Sequence, residues 1–142
     1  PDGHFRSYIS SDFDTDSNGT LSASEIAQVK ALKTLQDDSG LWHTVLDDPS
    51  SYVEVSGSSA IAAGILKGIR SGILSDSFLE CAERAVCAVM NNIAPDGTVL
   101  NVSGGTAVMK DREGYRKVPK AWIQGWGQGL ALAFLTAVLR QG

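Results

Sequence analysis

The chain has 142 residues, 43% hydrophobic and 20% charged, with a formal net charge of −4 and a pI near 5.0. This balance predicts one soluble globular unit over 1–142 and excludes collagen, coiled coil and wholesale disorder. Lysines and arginines are scattered, whereas a nucleic-acid surface needs a concentrated positive footprint, and no apolar run reaches the roughly 20 residues of a membrane span.

The amino terminus, Pro1-Asp2-Gly3-His4, shows no initiator Met, basic n-region or apolar h-region, so the expectation is a processed terminus or an internal piece. Phe5, Tyr8, Ile9 and Phe13 recur at helical spacing, a polar segment runs from Asp14 to Ser24, and Ile26, Val29, Leu32 and Leu35 form a second helical pattern that stops at the turn Gln36–Gly40. Leu41–Leu46 reads as an extended segment before the proline turn Asp47-Asp48-Pro49-Ser50. The small residues of Ser56–Arg70 predict a helix able to approach its neighbours closely. Ser77 and Glu80 have capping-box spacing and introduce a helix ending near Asn91 or Asn92. Cys81 and Cys87 lie six apart on that helix, too divergent for a disulfide, and are expected as buried thiols. Pro95-Asp96-Gly97 marks a turn, Thr98–Val102 one arm of a short hairpin, and residues 103–124 a loop. Gly129–Leu139 is a helix apolar nearly all round, which requires cover on every side. Five helices without strand–helix alternation make the class all-α.

The sharpest local motif is Asp14-Thr15-Asp16-Ser17-Asn18-Gly19-Thr20-Leu21-Ser22-Ala23-Ser24-Glu25, which fits the twelve-residue EF-hand calcium loop at each diagnostic position. Asp14, Asp16 and Asn18 would supply side-chain oxygens, Thr20 its carbonyl, Ser22 a direct or water-mediated ligand and Glu25 a bidentate carboxylate, with Gly19 at the sharp turn. Five restricted positions at ordinary residue frequencies coincide by chance on the order of once in several thousand chains of this length. The plainer alternative is an acidic surface loop turning at Asn18-Gly19, with Ser22 or Ser24 capping the next helix. Sensors pair their calcium loops and open a Met-rich groove; a lone loop points to a structural Ca2+ pinning a helix hairpin. His4 and His43 have no third ligand in sequence reach and do not make a zinc site.

A broader signal runs through Gln36–Asp47 (QDDSGLWHTVLD), Tyr52–Ala60 (YVEVSGSSA), Lys67–Leu74 (KGIRSGIL), the Asp96-Gly97 turn, Gly105–Val108 (GTAV) and Gly125–Gly129 (GWGQG). This series resembles the carboxyl-terminal half of glycoside hydrolase families 88 and 105, the unsaturated glucuronyl and rhamnogalacturonyl hydrolases, with family 105 the closer. Pro1–Arg6 is also similar to a loop-to-helix junction of that family, so the calcium loop reads as an insertion between barrel helices.

The resemblance implies an (α/α)6 barrel of twelve helices, of which about five are present. At about 11 or 12 residues per helix and four to six per connection, twelve helices need around 200 residues, so the chain is expected to be the second part of a barrel and its missing N-terminal half to be its partner. The family's activity is hydration of the C4–C5 double bond of an unsaturated uronic acid, with an aspartic acid as general acid and base. The resemblance places that aspartate upstream of Pro1, and Asp37, Asp38, Asp47 and Asp48 each occupy turns where Asp has an ordinary structural role.

Candidate contacts to an oligosaccharide carrying an unsaturated uronic acid follow from loop positions. Trp42 could stack on sugar C–H faces and His43 hydrogen-bond hydroxyls, or the two could be a packed ring and a solvated imidazole. Glu54, Ser56 and Ser58 open the small-residue helix, where hydroxyls could face a carboxylate or simply cap the helix. Trp126 and Gln128 could line the pocket rim or form a tight turn. The reading from another class is a calcium-stabilised, non-catalytic carbohydrate-binding module using the same loops.

Overall fold

The computed structural model describes residues 23–120 and 122–140. Its elements in chain order are helix α1 (Ala23–Thr34), strands β1 (Trp42–His43) and β2 (Val53–Glu54), helix α2 (Val55–Arg70), a 3-10 turn (Asp76–Phe78) running into α3 (Leu79–Met90), the short α4 (Arg112–Arg116) and α5 (Gly125–Leu139). The expected helix over Phe5–Phe13 and calcium-loop positions 14–22 lie outside the described residues.

Helical periodicity explains which faces are inside. On α2 the buried positions Val55, Ser58, Ser59, Ala62, Ile65 and Leu66 follow one stripe, matched on α3 by Cys81, Ala82, Ala85, Ala88 and Val89 and on α5 by Gly127, Ala131, Phe134 and Ala137. α2 is the central element, packed against α5 and α3, and its serines make the approach close without leaving buried hydroxyls orphaned: Ser58 Oγ donates to the Glu54 carbonyl at 2.6 Å and Ser59 Oγ to the Val55 carbonyl at 2.8 Å. On α5, Gly127 is required sterically, since a Cβ there would stand 2.6 Å from Val102 Cγ2. α1 has no buried residue; Val29, Leu32 and Leu35 lean on the core, and the Trp42 indole N–H donates to the Leu32 carbonyl at 2.7 Å.

The expected turn at Gln36–Gly40 forms, and Gly40 is fixed there twice over, by φ +89° and by Arg84 O, which a Cβ would meet at 2.5 Å. Several expectations are corrected. The helix expected from Gly129 begins at Gly125: three glycines in five residues read as a turn by propensity, but packing of Gly127 on Val102 overrides it. The 103–124 loop contains α4, capped by Asp111, whose carboxylate accepts from Gly114 N at 2.9 Å. The Ser77/Glu80 capping box does not form, because Phe78 holds the N-cap of α3 and Ser77 Oγ instead pairs with Ser75 Oγ at 2.6 Å. The hairpin after Pro95-Asp96-Gly97 shrinks to one bridge, Ile93 with Val99. Cys81 is buried but Cys87 is exposed, because six residues turn it away from the core face.

α5 is covered on one face, and Leu132 and Leu139 stand 68% and 84% exposed. Among the described residues no helix is long and apolar enough to cross a membrane.

Candidate functional site

β1 and β2 pair antiparallel, Trp42 opposite Glu54 and His43 opposite Val53. This ribbon sets β1 against the first turn of α2, where the Trp42 amide donates to Ser58 Oγ at 2.8 Å. An open cleft of about 270 Å³ lies beside it, lined by Trp42, His43, Thr44, Leu46, Glu54, Gly57, Ser58 and Ile61 from the ribbon and α2, and by Ser103 and Thr106 from a later segment.

The Glu54 carboxylate organises this region. Oε1 accepts from Ser56 N at 3.2 Å, Ser56 Oγ at 2.7 Å and Ser103 N at 3.0 Å, and Oε2 accepts from Gly57 N at 2.5 Å. Glu54 is therefore the N-cap of α2 and also the tether of the segment that carries Ser103; both oxygens are taken by donors of the chain itself. A buried carboxylate is stable only with such partners. Ser56 does not reach the cleft lining and serves Glu54.

His43 is held at both ring nitrogens, Nδ1 2.6 Å from the Ser51 carbonyl and Nε2 3.2 Å from Asp37 Oδ2. Hydrogen bonds from Ser39, and then His43 itself, hold the Asp37 carboxyl below its ordinary value. Trp42 is 1% exposed, so its ring packs beneath the ribbon and little of it is open to stack on a sugar.

Trp126 and Gln128 lie outside the cleft. Gln128, on the first turn of α5, grips the preceding turn: Oε1 accepts from Val99 N at 2.6 Å and Nε2 donates to the Gly97 carbonyl at 3.0 Å. Trp126 is half-exposed, its ring beside Gly105, where a Cβ would stand 3.8 Å from Cη2. Of the six expected calcium ligands only Glu25 is described, in the first turn of α1; Asp14, Asp16, Asn18, Thr20 and Ser22 fall outside. Of the further lining residues, Thr44 and Thr106 lie within segments that carry the family resemblance but were not singled out as contacts, and Ser103 lies outside those segments. Ser103 and Thr106 flank Gly104-Gly105, and only the fold brings them to α2.

A cleft walled by hydroxyl-bearing side chains suits polyol recognition. Its one carboxylate is already engaged, so the described lining binds and shapes rather than supplying an unengaged acid.

The chain is a member of Glycosyl Hydrolase Family 88, whose profile matches residues 15–141. It is 51% identical over 113 residues to the unsaturated rhamnogalacturonyl hydrolase YesR of Bacillus subtilis, covering 80% of this chain and 31% of that protein. Among solved structures, a protein described as a possible member of the GH105 family from Salmonella enterica serovar Paratyphi A superposes with TM-score 0.79 at 40% identity, over 82% of this chain and 30% of that one. A similarly described protein from Klebsiella pneumoniae gives TM-score 0.78 at 43% identity, over 81% and 30%. The chain thus spans about a third of the length of these relatives, and its helices form part of an (α/α)6 barrel.

Proposed function

We propose that the protein removes an unsaturated uronic acid from pectin-derived oligosaccharides by hydrating its C4–C5 double bond, in the manner of an unsaturated rhamnogalacturonyl hydrolase. The observation that carries this reading is the 51% identity to the Bacillus protein of that name across 80% of the chain. In the proposed reaction a carboxylic acid protonates the double bond, water adds at C5 and gives up a proton, and the hemiketal opens to release the next sugar. This differs from displacement at the anomeric carbon by two carboxylates. The acid belongs to the part of the barrel outside this chain, a reading supported by the engagement of both Glu54 oxygens. The contribution of this chain is a binding wall: Thr44, Ser103 and Thr106 beside the fixed His43.

A structural Ca2+ held by Asp14, Asp16, Asn18, Thr20, Ser22 and Glu25 is part of the proposal. It rests on the twelve-residue pattern and on Glu25 lying in the first turn of α1, where the loop's last ligand is needed. Its role would be to pin the chain entering α1.

The test is turnover by the full-length protein, followed as loss of the ultraviolet absorbance of the conjugated uronate in a rhamnogalacturonan-derived disaccharide, with and without chelator. Loss of absorbance is expected, together with a melting temperature that chelator lowers and calcium restores. No loss across several unsaturated uronides would favour a non-catalytic sugar-binding module; a melting temperature blind to chelator would remove the calcium.

A further inference from the structure

The cleft is built from two stretches far apart in sequence, and one device outside it joins them. Residues 104–119 leave and return at a common neck, where Gly104 N donates to the Pro119 carbonyl at 2.7 Å, the geometry of an Ω-like excursion. Ser103 stands at this neck and Thr106 just beyond it, both on the cleft. The far part of the excursion is α4. Its Arg116 reaches back to the turn after β1, donating Nε–H to Asp48 Oδ2 at 2.6 Å with a second guanidinium contact to the same oxygen, while Arg112 pairs with Asp47. Asp48 follows closely on Leu46, another lining residue.

The two pairs are not equivalent. Asp47 and Arg112 are exposed side chains, a pair that water and salt weaken. Asp48 is buried at 7% exposure, its Oδ1 already receiving the Ser50 amide at 3.0 Å and hydroxyl at 2.7 Å, so the carboxylate is aimed at Arg116 before the arginine arrives. Arg116 is oriented in turn by Glu113 at 3.2 Å, and Glu113 is engaged by Lys117 at 3.1 Å. Between neck and α4, residues 105–110 form no regular element, and Met109 N donating to the Tyr115 hydroxyl at 3.2 Å ties them to α4 rather than to the core. The position of the Thr106 side of the cleft is therefore set from two ends, by the neck at Gly104 and by the ion pair at Arg116.

We propose that Arg116 and Asp48 are positioning residues for sugar binding: their clasp holds the 104–119 excursion against the β1–β2 turn and so fixes the width of the cleft between Thr106 and the His43–Leu46 stretch. The inference rests on the hydrolase reading for the identity of the ligand. A loosened clasp lets the cleft widen and weakens binding of the oligosaccharide while leaving the acid, which this chain does not supply, and hence the chemical step, unchanged.

The test measures kcat and KM of the full-length enzyme on the unsaturated disaccharide for wild type, Arg116→Ala, Arg116→Lys and Asp48→Asn, with thermal unfolding of each. Loss of a charge-assisted contact that orders a binding wall is expected to raise KM about tenfold in Arg116→Ala with kcat within about twofold, and lysine, which keeps charge but not the fork, is expected to recover part of it. An unchanged KM in the arginine and aspartate variants, or kcat falling in step with melting temperature, would overturn the proposal. Should Arg116→Ala not fold, Arg116→Lys and Asp48→Asn still decide it. A wild type without turnover sinks the hydrolase reading instead, an outcome distinct from an active enzyme indifferent to the clasp.

Discussion

Asp48 carries its charge in a setting where each near neighbour favours the ionised form. The Ser50 hydroxyl contributes most and Arg116 next, against the opposing effect of burial, and together they draw the carboxyl down to about 2. A carboxyl whose folded pKa is depressed contributes stability that is fully present above its unfolded value and lost as pH falls through the folded one. The expected outcome is a melting temperature that declines from about pH 4 toward pH 2, with Asp48→Asn flattening that decline, read by thermal unfolding over an acid series. Asp37, lowered by Ser39 and His43, titrates in the same direction. As a pair of turn residues Asp47 and Asp48 were legible from the proline that follows them. Their partners were not, since Arg116 lies 68 positions away and no local pattern announces a contact made only by the fold.

At the scale of elements, α2 and α3 follow from apolar spacing, because each buries a stripe that 3.6-residue periodicity exposes in the sequence, and α1 follows the same spacing although its Val29 and Leu32 only lean on the core. α5 and α4 show where that reasoning stops. Glycines at 125, 127 and 129 weaken a helix in isolation, yet Gly127 is there because Val102 occupies the space of a side chain. α4 was marked only by Asp111 at its cap and by Glu113 spaced to meet Arg116 and Lys117, signals too short for periodicity to register. Gly127→Ala is expected to destabilise by about 1–3 kcal/mol through overpacking, even though alanine is the better helix former. Combining it with Val102→Ala should cost less than the sum of the two single changes, and a urea double-mutant cycle checks this. Strict additivity would mean that the two sites do not share the contact.

Over the whole molecule, the partial barrel explains an otherwise ill-placed composition. α5 is apolar on faces that the described residues leave open, with Leu132 at 68% exposure. In the full-length protein the barrel reading predicts cover for this face, so Leu132→Ala should cost about 2–5 kcal/mol, as for a core leucine, and not the roughly half kcal/mol of a surface change. Denaturant unfolding of the full-length variant distinguishes the two values; a surface-like cost would leave α5 on the outside of the barrel. The family was legible from motifs in series, Leu41–Asp47, Tyr52–Ala60 and Gly125–Gly129 among them. The roles of individual site residues were less so. Trp42, Glu54 and Gln128 belong to the resembling segments, yet the fold engages each in internal hydrogen bonds, and a single sequence does not separate a residue that touches ligand from one that holds the neighbour in place.

The central position of α2 also has a kinetic side. α3 follows α2 after a short connection, so their pairing closes a small loop early and at little entropic cost. α5, which buries the larger part of the α2 face, is reached only after the excursion and α4, and its docking closes a much longer loop. The hairpin of α2 and α3 is thus the natural nucleus, and until α5 docks, the buried face of α2 is only partly covered. Ser58, Ser59 and Ala62 among its buried positions, beside Val55, Ile65 and Leu66, make that face less apolar than a row of leucines would be, and so less exposed to another unfinished chain during the wait.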